Sequence, residues 1–349
     1  MINVKNKNYS IKSIFGFVPL PSKNNFNSID LVKFVCAFLI CMVHIKFFVP
    51  DSFKYANFFN SAIQNYLCRL AVPFYFVVAG FLLYGKMNIN ELDLGRVKNY
   101  CLKILRMLGV WTVLLFVGSK IHLWYLGELV VSVLIFTFLL KKKIKHNYIL
   151  FLVIFLYIIG LFGDSYYGLI LPLKKFRFFR IIINYYDLIF KTTRNGLFFG
   201  LVFVAMGGFI SHQKVIMSFK GSFIGFIVSM ICLSFEVFFL ERYSIPKDHN
   251  LFVFLVPACY FMFCLTMNIN LKDNDIYRRL RVIGLLIFFL HLLVNYFVLL
   301  GIDILNSYFE IDLTSFELFF TLLLVTLISI FIEKLSRVDK YKWLKYLYS

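Results

Sequence analysis

Apolar residues run through this chain in long blocks, separated by short loops that carry most of its lysines and arginines. Ten blocks read as membrane-spanning helices: residues 28–49, 65–84, 101–118, 123–140, 147–163, 194–211, 221–240, 250–268, 281–301 and 314–333. Each is close to the ~20 residues that a helix needs to cross a ~30 Å hydrocarbon core. The pattern predicts an all-α polytopic membrane protein. Its parts are an N-terminal segment (1–27), a transmembrane domain (28–333) and a basic tail (334–349). No small-residue cleavage site follows the first apolar block, which therefore reads as a retained helix and not as a signal peptide.

The cations orient these helices. Lys5, Lys7, Lys12 and Lys23 precede the first block, and Lys86, Arg96 and Lys98 follow the second. Lys141, Lys142, Lys143 and Lys145 follow the fourth, and Lys214 and Lys220 the sixth. Lys272, Arg278, Arg279 and Arg281 come after the eighth, and Lys334, Arg337, Lys340, Lys342 and Lys345 after the tenth. All fall on one side, so the positive-inside rule places both termini in the cytoplasm. The opposite loops are poorer in cations, and the last, with Asp303, Glu310 and Asp312, is acidic. One segment dissents: residues 164–193 hold Lys174, Lys175, Arg177, Arg180, Lys191 and Arg194 at its edge, yet fall outside. Aromatics interleaved with cations there suit an amphipathic segment on the outer leaflet or a basic lip over a site.

A composition that is 61% hydrophobic excludes a soluble domain. The net charge of +19 sits in loops and not on one face, which fits topogenic charge and anionic lipid, with no nucleic-acid partner. The seven cysteines lie mostly inside apolar blocks without a C-x-x-C pair, and no ligand cluster has metal-site spacing. Neither a metal nor a bound cofactor is expected.

The first block carries the most specific chemistry. His44 lies far along it, and an ionisable side chain there marks a functional site. Lys33 and His44 are eleven residues apart, about 1100° of helix, so they lie within ~20° of one face and ~16 Å apart along the axis. Asp30 falls within ~40° of the same line. A polar stripe thus leads from the membrane surface to a buried imidazole. Acyl transfer from a cytoplasmic thioester needs such a pair, a cation for donor phosphates and a base beside the thioester carbon. A lysine reaching the headgroups and a histidine bonded to a neighbouring helix would give the same spacing.

"SIDLVKFVCAFLICMVHIKFF" resembles the first helix of the acyltransferase-3 family of integral membrane acyltransferases, whose pattern is Asp, then Arg, ten residues and His. Asp30 and His44 stand in matching places, and Lys33 replaces the arginine, which keeps the charge without the bidentate geometry. "CRLAVPFYFVVAGFLLY" resembles the second helix: Arg69, Pro73, Phe74, Gly80 and Phe81 match, and Ala79 stands where a serine is usual. "NYCLKILRMLG" gives Lys103 and Arg106 at the spacing of the family's R-x-x-R. "HLWYLGELVV" resembles the start of the fourth span with Trp124, and its Glu128 is placed to pair with Arg69 or hold a substrate hydroxyl. "TRNGLFFGLVFVAMGGFI" brings Arg194 and Asn195 to the edge of the sixth span, to bind an acceptor or to cap the helix. "LLIFFLHLLVNYF" puts His291 inside the ninth span, four residues from Asn295. Glu236, in the seventh, is a further buried carboxylate.

The resemblance implies a multi-pass enzyme of a bacterial plasma membrane that moves an acyl group, by default acetyl, from acyl-CoA to a hydroxyl of a surface glycan or its lipid-linked precursor. His44 and Asp30 would be catalytic, and Lys33, Lys103 and Arg106 would hold the donor. Arg69, Trp124, Glu128, Arg194, Asn195 and His291 would shape the acceptor side. The membrane domains of membrane-bound serine racemases resemble this family too, which keeps open a second class, a transporter of a small amino acid.

Overall fold

The computed structural model describes residues 16–21, 26–45, 60, 62–87, 92–115, 123–243, 245–309 and 313–348. Its long helices are α1 (Asn27–His44), α2 (Ile63–Tyr84), α3 (Leu94–Leu114), α4 (Trp124–Lys141), α5 (His146–Leu161), α6 (Arg177–Ile189), α7 (Gly196–Gln213), α8 (Phe219–Arg242), α9 (Leu255–Asn268), α10 (Asp275–Phe309) and α11 (Glu317–Leu335). Each of the ten apolar blocks contains one of these helices, and α6 is the addition.

Seven of them are long and apolar enough to cross a membrane: α1, α2, α4, α7, α8, α10 and α11. The other three blocks fall short for physical reasons. α5 and α9 are apolar but only 16 and 14 residues long, which is ~24 and ~21 Å of helix. α3 has 21 residues, but Arg96, Lys98, Lys103 and Arg106 fall within its first thirteen. α1 closes at His44, and Ile45 is extended. The continuation expected over 46–49, the end of the third block at 116–118, and Lys5, Lys7, Lys12, Lys23, Glu310 and Asp312 lie outside the described residues.

Two helix pairs, α2 with α7 and α1 with α10, pack most extensively. In the first, Gly80 and Gly207 bring backbone against backbone. A Cβ on Gly80 would strike the Val204 carbonyl, and one on Gly207 the Val77 carbonyl. Such close approach maximises the dispersion contact that holds helices together where lipid removes the hydrophobic drive. α8 lies on α9, and α11 on the outer side of α10.

α2 does not begin as a regular helix. A π turn (Ile63–Leu67) and a 3-10 turn (Cys68–Leu70) precede the α-helical part, which starts at Ala71. Pro73 falls in the first turn of that part, where a missing N–H is tolerated. The irregular part of the helix therefore lies just before this proline, and it places Arg69 on the 3-10 turn.

The ends are tied down. Phe17–Pro19 (β1) pairs antiparallel with Val215–Met217 (β2) between α7 and α8. The tail forms a 3-10 segment (Asp339–Leu347) packed on α3, where the Trp111 indole donates to the Leu347 carbonyl at 2.8 Å. The Tyr348 and Ser336 hydroxyls are 2.7 Å apart.

The dissenting segment folds as the amphipathic element its pattern suggests. α6 buries Ile183 and exposes Phe178, Ile181, Ile182, Tyr185, Leu188 and Ile189. It is fastened by the Tyr186 hydroxyl, which donates to the Ile159 carbonyl at 3.1 Å, and by Asp187. The Asp187 carboxylate accepts from the Tyr167 hydroxyl at 2.6 Å and lies 3.3 and 3.2 Å from the Lys174 and Lys247 ammonium groups. Burial raises this carboxyl's pKa, but the hydroxyl and the two cations outweigh it and leave the group below the usual carboxylate range.

Candidate functional site: two cavities that meet along α1

A cavity of about 540 Å³ opens between α1, α2, α3, α4 and α10. Its charged lining is Lys33, Lys103 and Arg281, and its aromatic lining includes Tyr75, Tyr100, Tyr125 and Phe288. The Lys33 ammonium lies 5.4 Å from the centroid of the Tyr75 ring, and the Tyr75 hydroxyl donates to the Lys33 carbonyl at 2.7 Å. One tyrosine thus anchors to the helix and presents its face to that helix's cation. Arg281 is 3.7 Å from Asp30 in the first turn of α1. Tyr348, from the tail, completes the wall.

A second cavity, of about 50 Å³, adjoins the first: Ile40 and Val72 line both. Its polar lining is His44, Arg69, Trp124, Arg194 and Asn250. Room for only a few waters' worth of volume suits a hydroxyl and its carbon, not a whole sugar. The Arg194 guanidinium stacks 4.8 Å from the centroid of the Trp124 ring. Arg69 donates to Asn65 at 3.0 Å and to Asn250 at 2.9 Å, and Arg194 reaches the same Asn250 oxygen at 3.4 Å.

Asn250 is oriented by Asp164. Its backbone N–H and that of Leu251 donate to one Asp164 oxygen at 2.8 and 3.0 Å, and its side-chain amide donates to the other at 3.1 Å. Since the amide NH₂ faces a carboxylate, the amide oxygen must face the two guanidinium groups. Burial raises the Asp164 pKa, partly offset by the N–H donors. The Ser165 hydroxyl also donates, at 2.9 Å, to the oxygen that holds the two backbone N–H groups.

The two histidines also meet here. The His44 and His291 ring centroids are 5.4 Å apart. His291 is fully buried, and its Nδ1 lies 2.8 Å from the Phe288 carbonyl, which can only accept. Nδ1 therefore carries the proton, and in the neutral ring Nε2 is the acceptor.

Of the residues singled out from the sequence, Lys33, Lys103, His44, Arg69, Trp124, Arg194 and His291 converge on these two cavities or their junction. Several expectations are corrected. His44 is not a buried imidazole: it is exposed at the last position of α1, where the helix closes and Ile45 turns extended. Asp30 lies fourteen residues from His44, ~21 Å along the axis, and serves Arg281 instead. Arg106 is exposed and lines neither cavity: α3 lines the larger one with Tyr100, Lys103, Ile104 and Met107, and Arg106 points ~110° away from the centre of that face. Glu128 does not reach Arg69. Its carboxylate accepts from the Gly196 N–H at 2.5 Å and so caps α7. Asn195 also caps α7, accepting from the Leu197 and Phe198 N–H groups at 3.0 Å each. Asn295 accepts from Thr321 at 2.9 Å.

Three participants were not foreseen. Arg281 appeared in the sequence as one loop cation among many, and only packing of α10 on α1 brings it to Asp30. Asn250 and Asp164 lie in loops, far apart in sequence, and nothing local couples them. The buried Glu236 finds its partners in the same region: it accepts from the Val253 and Phe254 N–H groups at 2.6 and 2.9 Å and from the Tyr166 hydroxyl at 2.7 Å. It therefore caps α9. Among the described residues no group of three or more His, Cys, Asp or Glu side chains forms a metal site.

The elements α1, α2 and α3 supply Lys33, His44, Arg69 and Lys103, and this part of the chain matches known proteins. Residues 26–121 match the acyltransferase-3 family, an acyltransferase domain. The chain is also similar to two proteins of Enterococcus faecalis, each named amino-acid racemase. One is 29% identical over 278 residues, covering 72% of this chain and 37% of the relative. The other is 28% identical over 301 residues, covering 78% and 41%. The serine/alanine racemase of Enterococcus gallinarum is 27% identical over 268 residues, covering 68% of this chain and 37% of its own length. The aligned part is thus well under half of each relative. No solved structure matches. The chain is a helical membrane protein with an acyltransferase-family match over three of the helices, α1 to α3, that line its cavities.

Proposed function

We propose that this protein is a membrane O-acyltransferase that moves an acyl group, acetyl in the simplest case, from cytoplasmic acyl-CoA to a hydroxyl of a surface glycan or its lipid-linked precursor. The observation that carries the reading is the pair of cavities joined at Ile40 and Val72. One is cationic and deep, the other small and furnished with a histidine, an indole and two guanidinium groups. The acyltransferase match over residues 26–121 supports the reaction class.

In this reading all ten helical blocks cross the bilayer, both termini are cytoplasmic, and the Lys33 end faces the cytoplasm. Lys33, Lys103 and Arg281 attract the donor's phosphates, and Asp30 holds Arg281 in place. The pantetheine arm runs along the aromatic cavity toward Ile40 and Val72. An acceptor hydroxyl enters beside His44, positioned by Trp124, Arg69 and Arg194. The His44 imidazole takes the hydroxyl proton as the oxygen attacks the thioester carbonyl. The C–S bond breaks, CoA leaves as thiolate, and the proton on His44 returns to it, so the products are an ester and free CoA. His291 backs His44 from α10.

The test is release of free CoA by purified protein given acetyl-CoA and a cell-envelope glycan extract, wild type beside His44→Ala. Turnover lost in the variant is the expected result, and equal turnover in both overturns the role of His44. A second reading is favoured by the racemase-named relatives: a pathway for a small amino acid along the same cavities. Saturable serine flux in proteoliposomes without any acyl-CoA, in a protein that never releases CoA, would select it.

A further inference from the structure

A further cavity lies away from Lys33 and His44, in a cleft of about 760 Å³ between α5, α7 and α9. Its walls are apolar, with Leu150, Val153, Ile154, Val202, Met206 and Phe209 along them. One end differs. There the two imidazoles of His146 and His212 and the amides of Asn147 and Gln213 replace the aliphatic lining. The His212 Nε2 is buried and has no hydrogen-bond partner among the described residues. Around this mouth, Lys141, Lys142, Lys143, Lys145 and Lys214 are all exposed.

The cleft also coincides with the shortest apolar helices. α5 and α9, its two flanks, reach ~24 and ~21 Å against a ~30 Å hydrocarbon core. A bilayer cannot thin at one wall of a bundle without strain, and an apolar chain standing in the cleft relieves it. The cationic mouth requires that this chain end in a negative group.

We propose that the cleft binds one anionic phospholipid, with its phosphate among His146, His212 and the lysines and an acyl chain between α5, α7 and α9. The buried nitrogen of His212 gains a phosphate oxygen, and the apolar walls gain the chain. No residue of this site is among those lining the two cavities joined at Ile40 and Val72, so lipid binding and acyl transfer are separately measurable.

The test uses the full chain in non-ionic detergent, melted with dioleoylphosphatidylglycerol or with dioleoylphosphatidylcholine added to the micelles. Phosphatidylglycerol is expected to raise Tm by about 5 °C at saturation, and phosphatidylcholine by less than half of that. Exchanging Lys142, Lys143 and Lys145 for Gln alters only exposed side chains and is expected to halve the increment. His146→Gln with His212→Gln is expected to remove it, and so is Leu150→Trp, which fills the cleft from its exposed wall. Equal increments for the two lipids in the wild type overturn the proposal, as does an undiminished phosphatidylglycerol increment in the lysine variant.

Discussion

Asn250 can serve Arg69 and Arg194 only while Asp164 keeps its amide the right way round, and this makes Asp164→Asn an informative change. The new side chain keeps one oxygen for the Asn250 and Leu251 backbone donors but turns an NH₂ toward the Asn250 NH₂. Two outcomes remain. Either two donors face each other in a buried site, which costs about 1–3 kcal/mol, or the Asn250 amide turns over and confronts two guanidinium groups with its NH₂. The second course gives up a hydrogen bond to a charged group, worth about 1.5–3 kcal/mol. Replacing a carboxylate by an amide also weakens the bonds that survive. The loss is expected to reach about 2–4 kcal/mol, seen as a fall of about 3–5 °C in melting temperature for a chain of this length. The reciprocal exchange, Asp164→Asn with Asn250→Asp, restores donor to acceptor at every contact at unchanged net charge. It is expected to recover at least half of the loss, and to recover the acceptor KM as well. The reasoning fails if Asp164→Asn melts like the wild type, or if the double variant is no more stable than the single one.

His44→Ala is expected to lower acyl transfer by at least about 100-fold, the lower end of what a positioned base contributes, with little change in melting because the ring is exposed. An unchanged rate of CoA release would remove His44 from the chemistry. Gly207→Leu drives a side chain into the Val77 carbonyl at the tightest seam of the fold and is expected to destabilise by about 3 kcal/mol or more, read as loss of monodisperse protein in detergent. The docking of α6 should be pH-sensitive. The folded pKa of Asp187 lies below its ordinary value of 3.8, so its contribution is complete above that value and is lost as pH falls through the folded pKa. Hydrogen-exchange protection in residues 177–189, taken relative to the intrinsic rate at each pH, is expected to fall on acidification below about pH 4 and to stay level in Asp187→Asn.

The helical blocks were legible because hydrocarbon-length apolar runs leave a signal that survives without any tertiary knowledge. The polar stripe from Lys33 to His44 was legible for a related reason, since both residues sit on one helix whose period is fixed. What the chain hid were contacts between elements. Glu128 and Asn195 stand close to the site in sequence terms, yet both are used up in starting α7, because a helix N-terminus offers unpaired N–H groups to the nearest acceptor. Asn250 and Asp164 could not be found because their loops meet only after α5, α8 and α9 have packed. The end of α1 was overrun because hydropathy does not register where a chain turns away from the axis, and this moved His44 from the imagined interior to a helix terminus.

Ile40 of α1 and Val72 of α2 line both cavities, so the boundary between the two falls where α1 packs on α2. A molecule that only transfers an acyl group can keep that boundary fixed and let two substrates approach it from opposite ends. One that conducts a solute must open it. The same bundle therefore serves as a stationary reaction chamber or an alternating gate according to how firmly α1 is held against α2 there.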